Sequence, residues 1–515
     1  MEPEGYADAV LIENGIIAAV GGREQLRAWS RGAAEIDLAG RALLPAFIDA
    51  HSHFSGAANA LLQAPLDEAA DWAELCGTLT RFIADNRIAK GQWVVGKGYD
   101  HNALAERRHP TREALDRAAP DNPVMIVHQS GHMGVFNSLA LRLLGVTSET
   151  EAPAGGRIAC ENGAPTGYME ENAFLFYQQK TPMPAPEDLL DAYRRVQELY
   201  ASHGVATVQE GMMPAALIPL YKELLSRDLL KLDVVGYPGV PDAEAVFNAF
   251  PEANRRYQGH FKLGGCKLFL DGSPQGRTAW MRTPYLGGER DYRGYGTMRD
   301  DAVREALEAA YRAGMQPLAH CNGDAAAAQY LAAVAAIERE WPDFRGLRPV
   351  MIHAQLLDVD QMDEAARLGV IPSFFIAHVY HWGDVHIRNF GAERAGRISA
   401  AKAALDRNIP FTFHQDTPVL PPDMLETVWC AVNRLTKDGV LLGGGQRIPA
   451  EAALRAVTIN AAHQYFEEAR KGSLRPGKAA DLVLLDADPL SVPPDRLRNI
   501  RVLETIKAGE TVYRA

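Results

Sequence analysis

The stretch that decides the fold is Leu43-Leu44-Pro45-Ala46-Phe47-Ile48-Asp49-Ala50-His51-Ser52-His53. Leu43, Leu44, Phe47 and Ile48 lead into two histidines spaced i, i+2. On a strand that spacing points both imidazoles to one side. A buried strand would then present His51 and His53 together at its carboxyl end, where two neutral imidazoles suit a divalent metal. Alone, the pair is as compatible with a polar turn, so its weight depends on what the rest of the chain supplies.

On the amino side, residues 7 to about 45 read as short strands. Ala9-Val10-Leu11-Ile12 and Ile16-Ile17-Ala18-Ala19-Val20 flank Glu13-Asn14-Gly15, and Asn-Gly between β-prone runs is a hairpin signal. The far end is also strand-rich, over 480–486 and 500–503. These ends predict a small β domain, a β-sandwich, built from residues 1–45 and 470–515.

The middle alternates strand-like and helix-like segments, as α/β folds with parallel strands do. After the His-x-His strand come 204–210, 232–237, 266–271, 316–320, 349–353, 370–375 and 410–416, with helices expected over 301–313 and 325–340. Eight such units predict a (β/α)8 TIM-type barrel over 46–53 and 201–469, whose site lies at the strands' carboxyl ends. The count requires 54–200 to be a large insertion after the first strand, shaping the substrate pocket. That segment has its own strand-like piece at 123–128, which would make a ninth barrel strand, and helical stretches at 69–86 and 186–202.

The chain has 515 residues, 47% hydrophobic and 23% charged, ordinary for a globular protein. Its net charge of −12 argues against nucleic acid or an anionic membrane surface as the main partner. No apolar run reaches the ~18 residues of a membrane span. Met1-Glu2-Pro3-Glu4-Gly5 lacks the basic and apolar regions of a signal peptide. Five scattered cysteines without a C-x-x-C pair fit reduced thiols, hence a cytoplasmic protein, and exclude a cysteine-built zinc module.

Along the predicted strands, His51, His53, Lys267, His320, His353 and Asp416 fall at carboxyl ends. Lys267 is equally readable as a cation pairing with Asp271. Four imidazoles and a carboxylate at one barrel mouth suit Zn²⁺ first among divalent ions.

The chain resembles the amidohydrolase superfamily, in its amidohydrolase-3 (YtcJ-like) branch, over nearly its whole length. The residues that carry the resemblance are 44–53, Gly131-His132 with Asn137-Ser138, and Pro165-Thr166-Gly167 with Glu171. They continue through Lys267–Ser273, His320-x-x-Gly323-Asp324-Ala325, His353-Ala354-Gln355, Asp416-Thr417-Pro418-Val419 and Gly472–Leu482. The resemblance implies that His51, His53 and Asp416 bind one metal, and that His320 and His353 bind a second or assist with substrate. Lys267 matches a lysine that, when carboxylated by CO₂, bridges two metals as an anionic oxygen ligand; an unmodified ammonium there would repel them. The chain departs from the family pattern at Ala46, at His414-Gln415 (an extra imidazole near the metals), and at Gln129-Ser130 before Gly131-His132.

The expected chemistry is metal-dependent hydrolysis of a small molecule, with Asp416 as general base and His320 or His353 stabilising the oxyanion. Within the family the expected bond is an amide-type C–N bond, as in an N-acyl or N-formyl amine or an aryl amide. The alternatives are an ester, lactone, carbamate or cyclic amide, or a non-catalytic metal-binding barrel. His132, Asn137, Glu171, Arg277, Tyr285, His378, His381 and Trp382 are the substrate-contact candidates, and a homodimer is expected on the general frequency of dimers.

Overall fold

A computed structural model describes residues 5–515 except 31, 130, 154, 183, 288 and 289. The expectations concerning Met1–Glu4 and Ser130 therefore lie outside the described residues. The chain divides into two compact units, Met1–Ala57 with Arg194–Ala515, and Ala58–Tyr193.

In the first unit, apolar strands pair in parallel in chain order. One sheet carries Phe47–Ile48, Val205–Met213, Asp233–Pro238 and Phe261–Leu263. The other carries Gly265–Phe269, Gln316–Cys321, Val350–His353, Ile371–Phe374 and Thr412–Phe413. Near-continuous apolar runs alternating with helices are what parallel strands covered on both faces require. Ile48, Val235, Tyr237, Leu318, Val350, Ile352 and Ile371, drawn from both sheets, meet Ala461, Ala462 and Tyr465 in one core cluster. The register puts Phe269 beside His320, Cys321 beside His353 and His353 beside Phe374, so polar side chains collect at neighbouring carboxyl ends.

Three strands differ from expectation, the last being only Thr412–Phe413 where 410–416 was expected, so that Asp416 stands beyond its end. Phe261–Leu263 is additional, and only Gly264 separates it from Gly265–Phe269. A Cβ on Gly264 would stand 2.5 Å from the Tyr237 ring, and one on Gly265 2.0 Å from the Gln316 carbonyl oxygen. Two glycines thus let the backbone leave one neighbour and join the next, a close approach that hydrophobic periodicity does not report. The His-x-His strand, in turn, is only Phe47–Ile48, so His51 and His53 stand beyond its end. Their common direction is set by the loop and not by strand alternation.

The chain ends meet in an antiparallel sheet. Ala42–Pro45 pairs with Leu482–Leu485, then Val502–Lys507 and Glu510–Arg514 follow. The Ala9–Glu13/Ile16–Gly21 hairpin turns at Asn14 and Gly15, both at positive φ. Its Ile17 joins Ala480 and Leu482 in a small core.

At the amino ends of the strands, Asp233 pairs with Lys471 and with Lys507 (2.7 Å), and Glu467 with Lys262 and Lys471 (2.7 Å). Lys507 also reaches Asp481 at 2.8 Å. Three ammonium groups face three carboxylates, so each desolvated charge is compensated. Glu467 is held down at about 2 because the two lysines outweigh the upward push of burial.

The Ala58–Tyr193 unit holds a mixed sheet in the order Gln63–Pro65, Val94–Tyr99, Val124–His128, Met133–Phe136, Ala164–Glu171, Gly156–Glu161. The first two pairings are parallel and the others antiparallel. The 123–128 segment belongs here, which resolves the ninth-strand conflict. Helix Trp72–Asp85 starts later than expected because Asp71 accepts the Glu74 N–H as its N-cap.

Among the described residues, no helix is long and apolar enough to cross a membrane. All five cysteines are free thiols.

Candidate metal centre

Five strands in the first unit deliver the donor groups. His51 and His53 follow Phe47–Ile48, Lys267 lies within Gly265–Phe269, and His320 and His353 sit at or next to the ends of theirs. Asp416 lies beyond Thr412–Phe413 with φ of 54°, a left-handed turn that aims its carboxylate back into the cluster. The Asp416 Oδ1 atom is 3.3 Å from His51 Nε2 and 3.4 Å from His53 Nε2. Donor atoms of His51, His353 and Asp416 all lie within 4.8 Å of one another.

The set fits a divalent ion. Asp416 Oδ1 is buried and has no hydrogen-bond partner among the described residues. Leaving a carboxylate oxygen so costs several kcal/mol unless a cation or proton comes to it. Burial alone would raise the Asp416 carboxyl, but the His53 contact and the imidazoles of His353, His51 and His53 hold it well below the usual range.

The neighbouring groups fix which nitrogens face the centre. Gln209 Nε2 donates to the Ala50 carbonyl (2.9 Å) and to Tyr465 (3.0 Å), so its Oε1 must be the atom 2.5 Å from His51 Nδ1. An amide oxygen only accepts; His51 therefore carries its proton on Nδ1 and turns the Nε2 lone pair to the centre. Gln209→Leu should keep the fold and weaken metal binding about 10–100-fold. Metal titration monitored by competition with a chelating dye measures this, and unchanged affinity would disprove the orienting role.

His320 is arranged the same way. Its Nδ1 lies 3.2 Å from Asp271 Oδ1, and Asn322 Nδ2 is 3.4 Å from its Nε2. Asp271 also accepts the N–H groups of Trp280, Asn322 and Gly323, which fixes it rigidly. A proton on Nδ1 leaves Nε2 with a lone pair, which suits a ligand better than an oxyanion donor. For His353, Nδ1 lies 3.1 Å from His414 Nε2, and His414 Nδ1 lies 2.9 Å from Ser373 Oγ. Donation from His353 to His414 to Ser373 is a consistent assignment and frees His353 Nε2. Burial pushes His414 down to about 3, keeping it neutral.

Lys267 is buried, with Nζ 3.2 Å from His51 Nε2. Burial lowers its ammonium to about 7, against the raising pull of Asp416. Its alternative reading as the partner of Asp271 does not hold, since Asp271 is occupied by His320 and three backbone N–H groups.

The substrate-contact candidates separate. Asn137 is structural: its Oδ1 accepts the Val124 and Ala140 N–H groups and its Nδ2 donates to Asn122 and Ala119 carbonyls, using every site the amide has. Tyr285 is buried and spends its hydroxyl on the Ala279 carbonyl (2.9 Å). Arg277 donates to Asn389 and to the Gly287 carbonyl, bracing its loop. His132 and Glu171 are exposed and 3.3 Å apart within the second unit. His378, buried against His386 (3.0 Å), meets Phe375 edge-on and Trp382 at a tilt, and Phe375 packs beside His353 and His414. His381 lies 3.4 Å from Glu426. An aromatic wall of Phe375, His378 and Trp382 thus leads from the centre.

Gln209 and Glu210 were missed as site residues. Glu210 accepts from Ser55 N–H (2.7 Å) and Tyr221 (2.7 Å) and bridges to His53. Their signal in the sequence is two adjacent polar residues inside a largely apolar strand, Val205–Met213.

A sequence model described as the amidohydrolase family matches residues 34–513. The chain is 28% identical to N-substituted formamide deformylase of Arthrobacter pascens, over 98% of this chain and 95% of that protein. It is 26% identical to YtcJ of Bacillus subtilis (strain 168), over 100% and 97%. In structure it is similar to an uncharacterized metal-dependent hydrolase from Pyrococcus horikoshii OT3, with TM-score 0.75, 26% identity and 94% of each chain covered. With the converging donor set, these likenesses place the chain in the amidohydrolase family, as one of its metal-dependent hydrolases.

Proposed function

We propose that this enzyme hydrolyses an amide-type C–N bond in a small molecule, an N-acyl or N-formyl amine or an aryl amide. The observation that carries the reading is the unpartnered, buried Asp416 Oδ1 set among imidazole nitrogens at 3.3 and 3.4 Å. The likeness to a formamide deformylase supports the choice of bond. The two parallel sheets are taken as parts of one (β/α)8 barrel. In support, His53 N–H bonds the Thr417 carbonyl (2.8 Å) next to the last strand, and Gly239 bridges in parallel to Lys267 between the sheets. The hairpin and the terminal four-stranded sheet would form the small sandwich.

His51, His53 and Asp416 would hold one divalent ion, Zn²⁺ by donor type, and Lys267, as a carbamate, would bring a second to His320 and His353. A bound ion there supplies Lewis acidity toward a carbonyl and toward water. Asp416, ionised and with its Oδ1 free of hydrogen bonds among the described residues, takes a proton from the attacking water and returns it to the leaving nitrogen. The buried histidines hold their lone pairs in place through Gln209, Asp271 and His414, so no reorganisation accompanies the reaction. Phe375 and Trp382 offer an apolar face to the acyl or amine substituent and exclude water beside it.

The test is turnover of matched N-formyl amines, N-acyl amines and aryl amides against esters and lactones of the same skeleton. Turnover of amides above their matched esters is expected. Ester or lactone turnover without amide turnover would replace this reading.

A further inference from the structure

The Ala58–Tyr193 unit contains a second group of metal-type donors that the reading above does not use. Val94–Tyr99 and Val124–His128 are parallel neighbours whose register pairs Tyr99 with His128. Asp100 and His101 therefore leave one strand where His128 ends the next. His101 Nδ1 is 3.1 Å from His128 Nε2. Asp100 Oδ1 is 3.5 Å from that His128 nitrogen and 3.8 Å from His101 Nδ1. Ligands at the ~2.0–2.1 Å of Zn–N and Zn–O bonds in a tetrahedron stand about 3.3 Å apart, so three donors lie near three of its corners.

The surroundings fix these donors. His109 stacks on the His101 ring at 4.1 Å and on Tyr168 at 4.1 Å, and its Nδ1 lies 3.0 Å from the Tyr99 hydroxyl. The Tyr99 ring meets His128 edge-on at 5.2 Å. Asp100 Oδ1 accepts the Asn102 N–H at 2.8 Å, and Gln129 N–H bonds the Tyr99 carbonyl, tying the two strand ends together. Outer contacts of this kind orient metal ligands. His128 is buried, whereas the side chains of Asp100 and His101 keep 22% and 26% exposure, leaving an approach for an ion. A simple His101–His128 hydrogen bond would account for two of the donors but not for the carboxylate converging on the same point.

We propose that Asp100, His101 and His128 form a second divalent-metal site, distinct in its ligands from the His51/Asp416 centre. Two imidazoles and one carboxylate select Zn²⁺ or a neighbouring first-row ion over Mg²⁺ or Ca²⁺. The ion would clamp the ends of two adjacent parallel strands.

The test uses Zn²⁺ alone, added to the full chain carrying His51→Gln, His320→Gln, His353→Gln and Asp416→Asn, which strips ligands from both ions proposed at the first centre, followed by gel filtration and metal analysis. Retention of about one ion per chain is expected, falling to near zero when His101→Gln and His128→Gln are added. No retained zinc would overturn the site, and retention insensitive to those two substitutions would mean an adventitious ion only. Should the sixfold variant fail to fold by circular dichroism, two further measurements decide. X-ray absorption of the zinc-loaded fourfold variant should show two imidazoles and an oxygen donor, and any other shell overturns the assignment. In the otherwise native chain, His101→Gln alone should remove about one zinc, and an unchanged content counts against the site.

Discussion

Asp416→Asn should lower kcat by about 10²–10⁴-fold while the protein keeps most of its metal. The amide matches the carboxylate in shape and still offers an oxygen lone pair, but it cannot take up a proton at neutral pH. In the native chain Oδ1 is buried, has no hydrogen-bond partner among the described residues and is ionised by its imidazole neighbours. Loss of basicity therefore removes the proton acceptor and leaves the donor geometry almost intact. Steady-state kinetics beside metal analysis separates the two effects. A variant that loses metal and kcat together would make Asp416 chiefly a ligand, and near-native turnover would remove it from proton transfer.

Removing the metal with a chelator should abolish turnover, and Zn²⁺ with bicarbonate should restore it. Lys267 decides how many ions return. Its Nζ lies 3.2 Å from His51 Nε2, where an ammonium would oppose a divalent cation across a few ångströms of buried space. Attack of the neutral amine on CO₂ forms an N–C bond, releases one proton and leaves an anionic carbamate, which turns repulsion into ligation. In a chain carrying His101→Gln and His128→Gln, where only this centre counts, metal analysis should accordingly find about two ions, and about one when Lys267→Ala is added, with turnover falling alongside. One ion in both proteins would make Lys267 a plain cation and move His320 and His353 to substrate.

Much of this architecture was legible because parallel strands announce themselves as apolar runs. The segments at 204–210, 232–237, 316–320 and 349–353 form strands near their expected bounds. The polar residues that interrupt such runs at their ends, His51, His53, Lys267, His320, His353 and Asp416, are also the ones the structure gathers. Short elements were not legible. Phe261–Leu263 depends on the glycine pair 264–265 passing within reach of Tyr237 and Gln316, a proximity set by residues far away in the chain.

The sequence by itself determined the strand-and-helix alternation, the family and the identity of the donor groups, because residue type and spacing fix burial and chemistry locally. Tertiary structure alone decided the rest. It consumed Asn137 and Tyr285 in local hydrogen bonds, assigned the His51 proton through Gln209 from another strand, and left Asp416 Oδ1 without a hydrogen-bond partner among the described residues. It also brought Asp100 and His101 to His128 across adjoining strands. These outcomes depend on which atoms of distant residues stand within about 3 Å, and hydrogen bonds and metal ligation act only over that range.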